Sequence, residues 1–153
     1  MLGVRSFQEL AVYQLARDLR REVVRLTVAE PVCRDFKFVS QIRDAARGGP
    51  RNIAEGFSRF VPTEIARFLS YAKASIDETQ SHLVDGYESG YFSKEDCDRL
   101  VVLTRRTCAG LSRLMRYLES DEAMRRYREI VQKRKARLAA SSAKRKAART
   151  LEP

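Results

Sequence analysis

Tryptophan is absent from this chain of 153 residues, and glycine and proline are scarce, with seven and four copies. A turn-rich β architecture needs more of both at its reversals, so the composition disfavours an all-β fold. No apolar run approaches the roughly 20 residues that a membrane-spanning helix needs. The first residues also lack the apolar stretch of a signal peptide. We therefore expect a cytoplasmic protein with no membrane segment.

Cysteine and histidine are equally sparse. The three cysteines Cys33, Cys97 and Cys108 are odd in number and show no CxxC spacing, which disfavours a disulfide framework and a zinc site. His82 is the single histidine, and Thr79 stands where a Glu-x-x-His di-iron motif needs its glutamate. No nucleotide-binding loop or hydrolase signature is present. We expect neither enzyme activity nor a cofactor or metal.

Positive charge is abundant and unevenly distributed. The formal net charge is +10, and residues 121–153 hold 11 Lys/Arg against 4 Asp/Glu, whereas residues 1–120 hold 19 against 16. Such asymmetry points to nucleic acid, an anionic surface or an acidic partner.

Apolar residues recur every three or four positions in four long segments, which predicts four amphipathic helices. These segments cover about 7–27, 35–60, 62–87 and 93–118. Ser6, Thr63 and Ser93 are suited to cap three of the helices, and Gly90 suits the end of the third. The very short link after it makes helices three and four antiparallel neighbours. Pro50 predicts either a kinked second helix or two helices in series, and the unbroken period favours the kink.

The predicted fold is therefore an all-α, up-and-down antiparallel four-helix bundle over residues 1–120, with helix two kinked at Pro50. Residues 121–153 form a basic extension in which Ser120 can cap a further helix. The last fifteen residues have little to bury, and we expect them to be disordered or helical only when bound.

Two groups of basic residues are candidates for nucleic-acid contact, because neutralised phosphates release counterions. In helix two they follow a spacing of four: Arg43, Arg47 and Arg51. The alternative for this row is a solvated helix face. In the C-terminal extension they are denser: Arg125, Arg126, Arg128, Lys133, Arg134, Lys135, Arg137, Lys144, Arg145 and Lys146. The alternative for this run is a solubilising tail.

The stretch RNIAEGF places Asn52 and Glu55 beside an apolar seam and Gly56 on its inward side. A buried polar group without a partner costs roughly 1–3 kcal/mol, so we expect hydrogen bonds across helices. The candidate partners are Arg43, Ser75 and Glu78. Because a polar residue in a seam can set the oligomeric state, we expect Asn52→Leu to disturb assembly more than RNA binding.

Three motifs together resemble a known family: QIRDAA at 41–46, PRNIAEGF at 50–57 and GYFS at 90–93. They are similar to the bacterial four-helix-bundle proteins encoded in intervening sequences of 23S rRNA genes, over roughly residues 5–120. The resemblance implies a four-helix bundle assembled as a homopentamer, with no established enzyme activity. Related bundle proteins are accessory factors that bind RNA and the reverse transcriptase of diversity-generating retroelements. Gly48-Gly49 departs from the family pattern, and we expect it to loosen helix two.

The sequence thus predicts a non-enzymatic, oligomeric protein that binds RNA through its basic surfaces and tail. The alternative is a protein-interaction scaffold, such as an accessory subunit of a reverse transcriptase. The basic extension lies beyond the usual end of the family domain, so its assignment depends on charge alone.

Overall fold

The structure, a computed structural model, describes the backbone of residues 5–150 and the side chains of residues 5–141. Within these residues the chain is all-α, with no strand and with two short 3-10 turns at Phe7–Glu9 and Val32–Arg34. The α-helices are α1 Ala11–Leu26, α2 Phe36–Ser58, α3 Pro62–Glu88, α4 Lys94–Leu118 and α5 Asp121–Thr150. The all-α prediction is confirmed, and a fifth helix is added to the four expected.

The signals that end α3 and begin α4 act as predicted. Gly90 adopts a φ of +74°, a left-handed conformation that glycine reaches without steric cost. The side chain of Ser93 then accepts a hydrogen bond from the backbone N–H of Asp96, at 3.1 Å, and so caps α4. The reversal brings α4 back along α3, as shown by the hydrogen bond from Thr104 to Gln80 of 2.7 Å.

Two predicted helix starts are wrong. Ser6 makes no side-chain capping bond, and α1 begins at Ala11, because the residues in between form a 3-10 turn. Thr63 does not cap α3, which begins one residue earlier. There Pro62 occupies the first turn, where its missing N–H costs nothing and its fixed φ suits the helix.

Helices α1 and α3 both pack between α2 and α4, so the four helices form a closed cycle of neighbours. Helix α1 runs antiparallel to α4: Arg25 pairs with Asp96 at one end, and a Cβ at Gly110 would lie 2.8 Å from Val12 at the other. One core fills the space between them. Its largest fully buried apolar side chains are Leu19, Val23, Val32, Ile42, Ile53, Leu69, Ile76, Leu83, Leu100, Leu111 and Leu118.

Helix α2 is continuous through Pro50, which is itself buried, so the alternative of two helices in series is wrong. Gly48 and Gly49 are both buried against α3, and the expectation that they loosen this helix stays a prediction. A Cβ at Gly48 would overlap Ser75, and one at Gly56 would lie 2.8 Å from the Cβ of Phe68. The glycines therefore let α2 and α3 approach closely, and Gly56 lies on the inward side as predicted.

Helix α5 begins after Ser120, the expected cap, and continues into the stretch that was expected to be disordered or helical only when bound. Ser120 accepts a hydrogen bond from the N–H of Ala123, at 3.3 Å, and Ala123 is fully buried. From Gln132 to the last described side chain every residue is exposed. At 1.5 Å per residue, the 30 residues of α5 span about 45 Å. Of the fifteen residues expected to be disordered or helical only when bound, those up to Thr150 are helical, and the last three lie outside the described chain.

No helix in the described part of the chain combines the length and the apolar character needed to cross a membrane. Across the same residues, no cluster of three or more His, Cys, Asp or Glu side chains could hold a metal ion.

Candidate nucleic-acid interface

The basic residues of α5 are exposed, and most of the described ones form no ion pair. The described ones are Arg125, Arg126, Arg128, Lys133, Arg134, Lys135 and Arg137. Within the described side chains only Arg126 forms an ion pair, with Glu122 at 2.6 Å. Because neighbouring residues on a helix point about 100° apart, the cations surround α5 rather than form one stripe. The side chains of Lys144, Arg145 and Lys146 lie outside the described residues.

The row of arginines on α2 is only partly available to a ligand. Arg43 is half-buried, and its Nε donates a 2.8 Å hydrogen bond to the hydroxyl of Thr27 at the end of α1. Arg47 is exposed and pairs with Asp44 at 3.3 Å. Arg51 is exposed, with no ion pair to any described side chain. The predicted phosphate-facing row thus reduces to Arg47 and Arg51, since Arg43 joins two helices.

The C-terminal half of α4 carries a basic surface that our sequence interpretation did not single out. Its exposed arginines form no ion pair with any described side chain, and no acidic residue lies between Arg99 and the end of the helix. These arginines are Arg105, Arg106, Arg113 and Arg116. The sequence does show this surface, as a stretch without Asp or Glu after Arg99. We did not single it out because the C-terminal extension carries more positive charge.

Helix α1 continues the basic surface of α4. Its outer side bears a shallow cavity of about 550 Å³ lined by Arg17, Arg20, Arg21, Val24 and Arg25. Helix α3, diagonally opposite, carries five acidic residues against two basic ones. The four-helix body therefore has a basic side on α1 and α4 and an acidic side on α3.

Some cations on the basic side form ion pairs that hold α1 and α4 together. Arg25 and Arg99 both bind Asp96, at 2.9 and 2.8 Å, and Arg99 also binds Glu22 at 2.7 Å. The hydrogen bond from Arg99 is the main cause that lowers the pKa of each carboxyl, with Arg25 adding to it. These charges join α1 to α4 and are less available to an anionic ligand than the unpaired arginines.

The polar residues of RNIAEGF do not bond across helices as predicted. Glu55 is exposed and pairs with Arg59, the residue that directly follows the end of α2. Asn52 is half-buried and makes no hydrogen bond to another described residue. Glu78 is exposed on α3 and lies 4.0 Å from His82. The prediction failed because Glu55 is exposed, and among Asn52, Glu55 and Gly56 only the glycine is buried. Their role in assembly stays a prediction.

None of the three cysteines is prepared as a nucleophile. All three are free thiols, and Cys97 is buried. The thiol of Cys108 donates to Asp77 at 3.2 Å, and burial together with this carboxylate raises its pKa to about 12. A thiol with such a pKa is protonated, and therefore weakly nucleophilic, at neutral pH.

The profile of one protein family, described as 23S rRNA-intervening sequence protein, matches residues 8–113 of the chain. This range covers α1 to α3 and most of α4, and it stops before α5. No curated protein matches the chain.

Proposed function

The chain belongs to the 23S rRNA-intervening sequence protein family, and from this membership and its charged surfaces we propose that it is a non-enzymatic RNA-binding protein. Helix α5 supplies the main contact, and the basic side of α1 and α4 supplies a second one. Arg47 and Arg51 of α2 add to them. The family match ends before α5, so the proposed role of α5 depends on its own physical chemistry.

The observation that supports this proposal best is the isolation of the α5 charges. Beyond Val131 no described side chain of α5 is buried, yet this part of the helix is dense in Lys and Arg. These solvated cations break no ion pair with a described side chain when they bind phosphates. Binding also releases the counterions of the phosphates, and their entropy favours the complex. Such binding is independent of sequence and weakens steeply with salt.

We also propose that the four-helix body is an up-and-down bundle that assembles into a homo-oligomer, a pentamer by the family resemblance. Several copies of α5 on one assembly would convert weak single contacts into avidity. We propose that this assembly acts in the cytoplasm, where it has access to long RNA.

A protein-interaction scaffold, such as an accessory subunit of a reverse transcriptase, is the second candidate. It is favoured by apolar side chains that the body leaves in solvent. Phe36 is 81% exposed at the start of α2, and Val102 is 54% exposed on α4. A complex of this kind would survive nuclease treatment and moderate salt, whereas an RNA-bridged one would not.

Fluorescence anisotropy with a short unstructured RNA, repeated over a salt series, tests the proposal. The test variant neutralises four exposed residues of α5 with glutamine: Lys133, Arg134, Lys135 and Arg137. At about 0.7 counterions released per phosphate of a single strand, the slope of log K against log salt should become shallower by up to about 3.

The matched control replaces Lys133 and Lys135 with arginine, which keeps the charge and should keep both the affinity and the slope. Equal affinity and slope for the wild type and the glutamine variant would show that α5 does not bind RNA. A parallel variant replaces the four unpaired arginines of α4 with glutamine. Its loss of RNA affinity measures the contribution of the second contact.

A further inference from the structure

Arginines and aromatic rings come together at one corner of the molecule, where α2 ends and α3 begins. Arg59 lies over the ring of Phe68, with 4.8 Å between the guanidinium carbon and the ring centroid. Arg67 is 5.7 Å from the centroid of Tyr71. Arg134 of α5 lies 5.8 Å from the Phe60 ring. All the contacts of an arginine with the face of an aromatic ring found among the described side chains lie at this corner.

A surface cleft opens between these groups. It has a volume of about 300 Å³ and is lined by Arg59, Glu64, Arg67, Phe68 and Tyr71. This volume is at the lower end of the range for small-molecule sites. The rings of Phe68 and Tyr71 stand 5.9 Å apart at an interplanar angle of 85°, so they form two walls of a corner. The cleft thus joins apolar walls to charges of both signs.

Contacts between neighbouring side chains hold the groups of the cleft in place, but some of the charged groups form no ion pair with a described residue. Arg67 donates from Nε to the hydroxyl of Tyr71 at 2.7 Å, which fixes both side chains. The terminal nitrogens of Arg67 form no ion pair with any described residue, and the same holds for the carboxylate of Glu64. Arg59, by contrast, is bound by Glu55. Tyr71 is 43% exposed, so part of its ring is open to solvent.

We propose that this cleft binds an unpaired nucleobase of single-stranded RNA, an inference that rests on the RNA-binding function proposed above. The base stacks on Tyr71, because aromatic rings offer a face to any base. The terminal nitrogens of Arg67 bind the neighbouring phosphate, and Glu64 accepts a hydrogen bond from an exocyclic amino group of the base. A base inside a duplex is stacked and paired, and it does not reach the cleft.

The position of α5 argues for a strand as the source of the base. The ring of Tyr127 on α5 contacts Phe60 at 5.4 Å, and Arg134 lies on the same ring. Phe60 directly follows Arg59, which lines the cleft. A strand bound along the cations of α5 therefore passes beside the cleft, where one of its bases can turn inward.

A pair of tyrosines on α3 provides the test and its control. Tyr71 lines the cleft, and Tyr87 is 42% exposed on the same helix but away from the cleft. Tyr71→Ala and Tyr87→Ala should lower the thermal unfolding midpoint by similar small amounts, because the two rings are exposed to the same extent. The probe is a single-stranded RNA with one 2-aminopurine, whose fluorescence falls when it stacks on an aromatic ring.

The wild type and Tyr87→Ala should quench the probe. Tyr71→Ala should lose the quenching and bind about fivefold to more than a hundredfold more weakly, as expected for one lost stacking contact. Its salt slope should stay unchanged, since the slope reports phosphates. Tyr71→Phe keeps the ring and should retain most of the quenching. A fully paired form of the same RNA should show no quenching that depends on Tyr71.

A second arm with free 2-aminopurine ribonucleotide identifies the source of the base. Quenching of the free nucleotide alone, dependent on Tyr71, would keep the cleft as a nucleotide site but would overturn the assignment to a strand. Equal quenching of the strand by the wild type and Tyr71→Ala would overturn the proposal, even if α5 still carried the salt-dependent affinity. Loss of the salt-dependent affinity alone would refute the function of α5 and not the cleft.

Discussion

Helices α4 and α5 follow each other in the chain, are similar in length and are both basic, yet they have opposite structural roles. Helix α4 buries six residues over its 25 positions, among them Leu100 and Leu111. Helix α5 buries Ala123 in its first turn and exposes every described side chain beyond Val131. The difference lies in the spacing of the apolar residues and not in the charge. Apolar spacing therefore determines which of the two helices builds the core.

Matched leucine substitutions should give the largest effect. Leu100 is fully buried on α4, and Leu138 is 61% exposed on α5. Leu100→Ala should lower the free energy of unfolding by about 2–5 kcal/mol, because it removes buried methyl groups and leaves a cavity. Leu138→Ala should change it by less than about 0.5 kcal/mol. Urea unfolding followed by circular dichroism measures both, and similar losses would mean that α5 packs against a core of its own.

The close contact of α2 with α3 should give an intermediate effect. Gly56→Ala introduces a Cβ 2.8 Å from that of Phe68, an atom too near its own backbone to move freely. We expect a net loss of about 1–2 kcal/mol, after a gain of about 1 kcal/mol from the better helix propensity of alanine.

The control for this contact is Ser40→Ala, at an exposed position of the same helix, which should be nearly neutral. A Gly56→Ala protein as stable as the wild type would show that α2 and α3 have room to separate. Thermal unfolding of the two variants side by side gives the answer.

The ion pairs between α1 and α4 should give the smallest effect, and one that depends on pH. The pKa of Asp96 is lowered in the folded state, mainly by its hydrogen bond with Arg99. The ionised form therefore stabilises the fold above the unfolded-state pKa of about 3.9, and this contribution is lost as the pH falls through the lower folded-state pKa. Asp96→Asn should cost about 0.2–1 kcal/mol at pH 7, the range of exposed ion pairs.

Urea unfolding at neutral and at strongly acidic pH measures this change, and the cost of Asp96→Asn should vanish in acid. Glu95→Gln is the matched control, since Glu95 occupies the same first turn of α4 and is exposed without an ion pair to a described residue. If Asp96→Asn lowers the free energy of unfolding equally at both pH values, Asp96 stabilises the start of α4 by capping and not by its charge.

The four amphipathic helices were predictable because burial imposes a period that the sequence shows directly. The start at Ser93 and the reversal at Gly90 were predictable for a local reason, since each acts within a few residues. The start of α3 was missed because Pro62 and Thr63 are both good starting residues, and only the structure chooses between them. Disorder, or a helix formed only on binding, was predicted for the end of the chain because it lacks apolar residues. Alanine, lysine and arginine are nevertheless strong helix formers, and α5 follows that local preference.

The candidate site was less predictable, because most of it depends on contacts between distant segments. The spacing of Arg43 suggested a row on α2, but its hydrogen bond to Thr27 crosses to another helix. The corner with Phe60 and Tyr127 joins residues of α5 to the link between α2 and α3, and no local pattern connects them. The unpaired arginines of α4 were the exception, since the lack of acidic residues around them is visible in the sequence.

Removal of residues 132–153 tests the division of roles between the body and α5 most directly. The truncation keeps the buried Ala123 and the contact of Tyr127 with Phe60, and it removes eight Lys/Arg and one Asp/Glu. The shortened chain should unfold at nearly the same temperature as the full chain. In a salt titration with single-stranded RNA it should bind much more weakly and with a shallower slope. A truncated protein that keeps the full affinity and salt slope would contradict the assignment of RNA binding to α5.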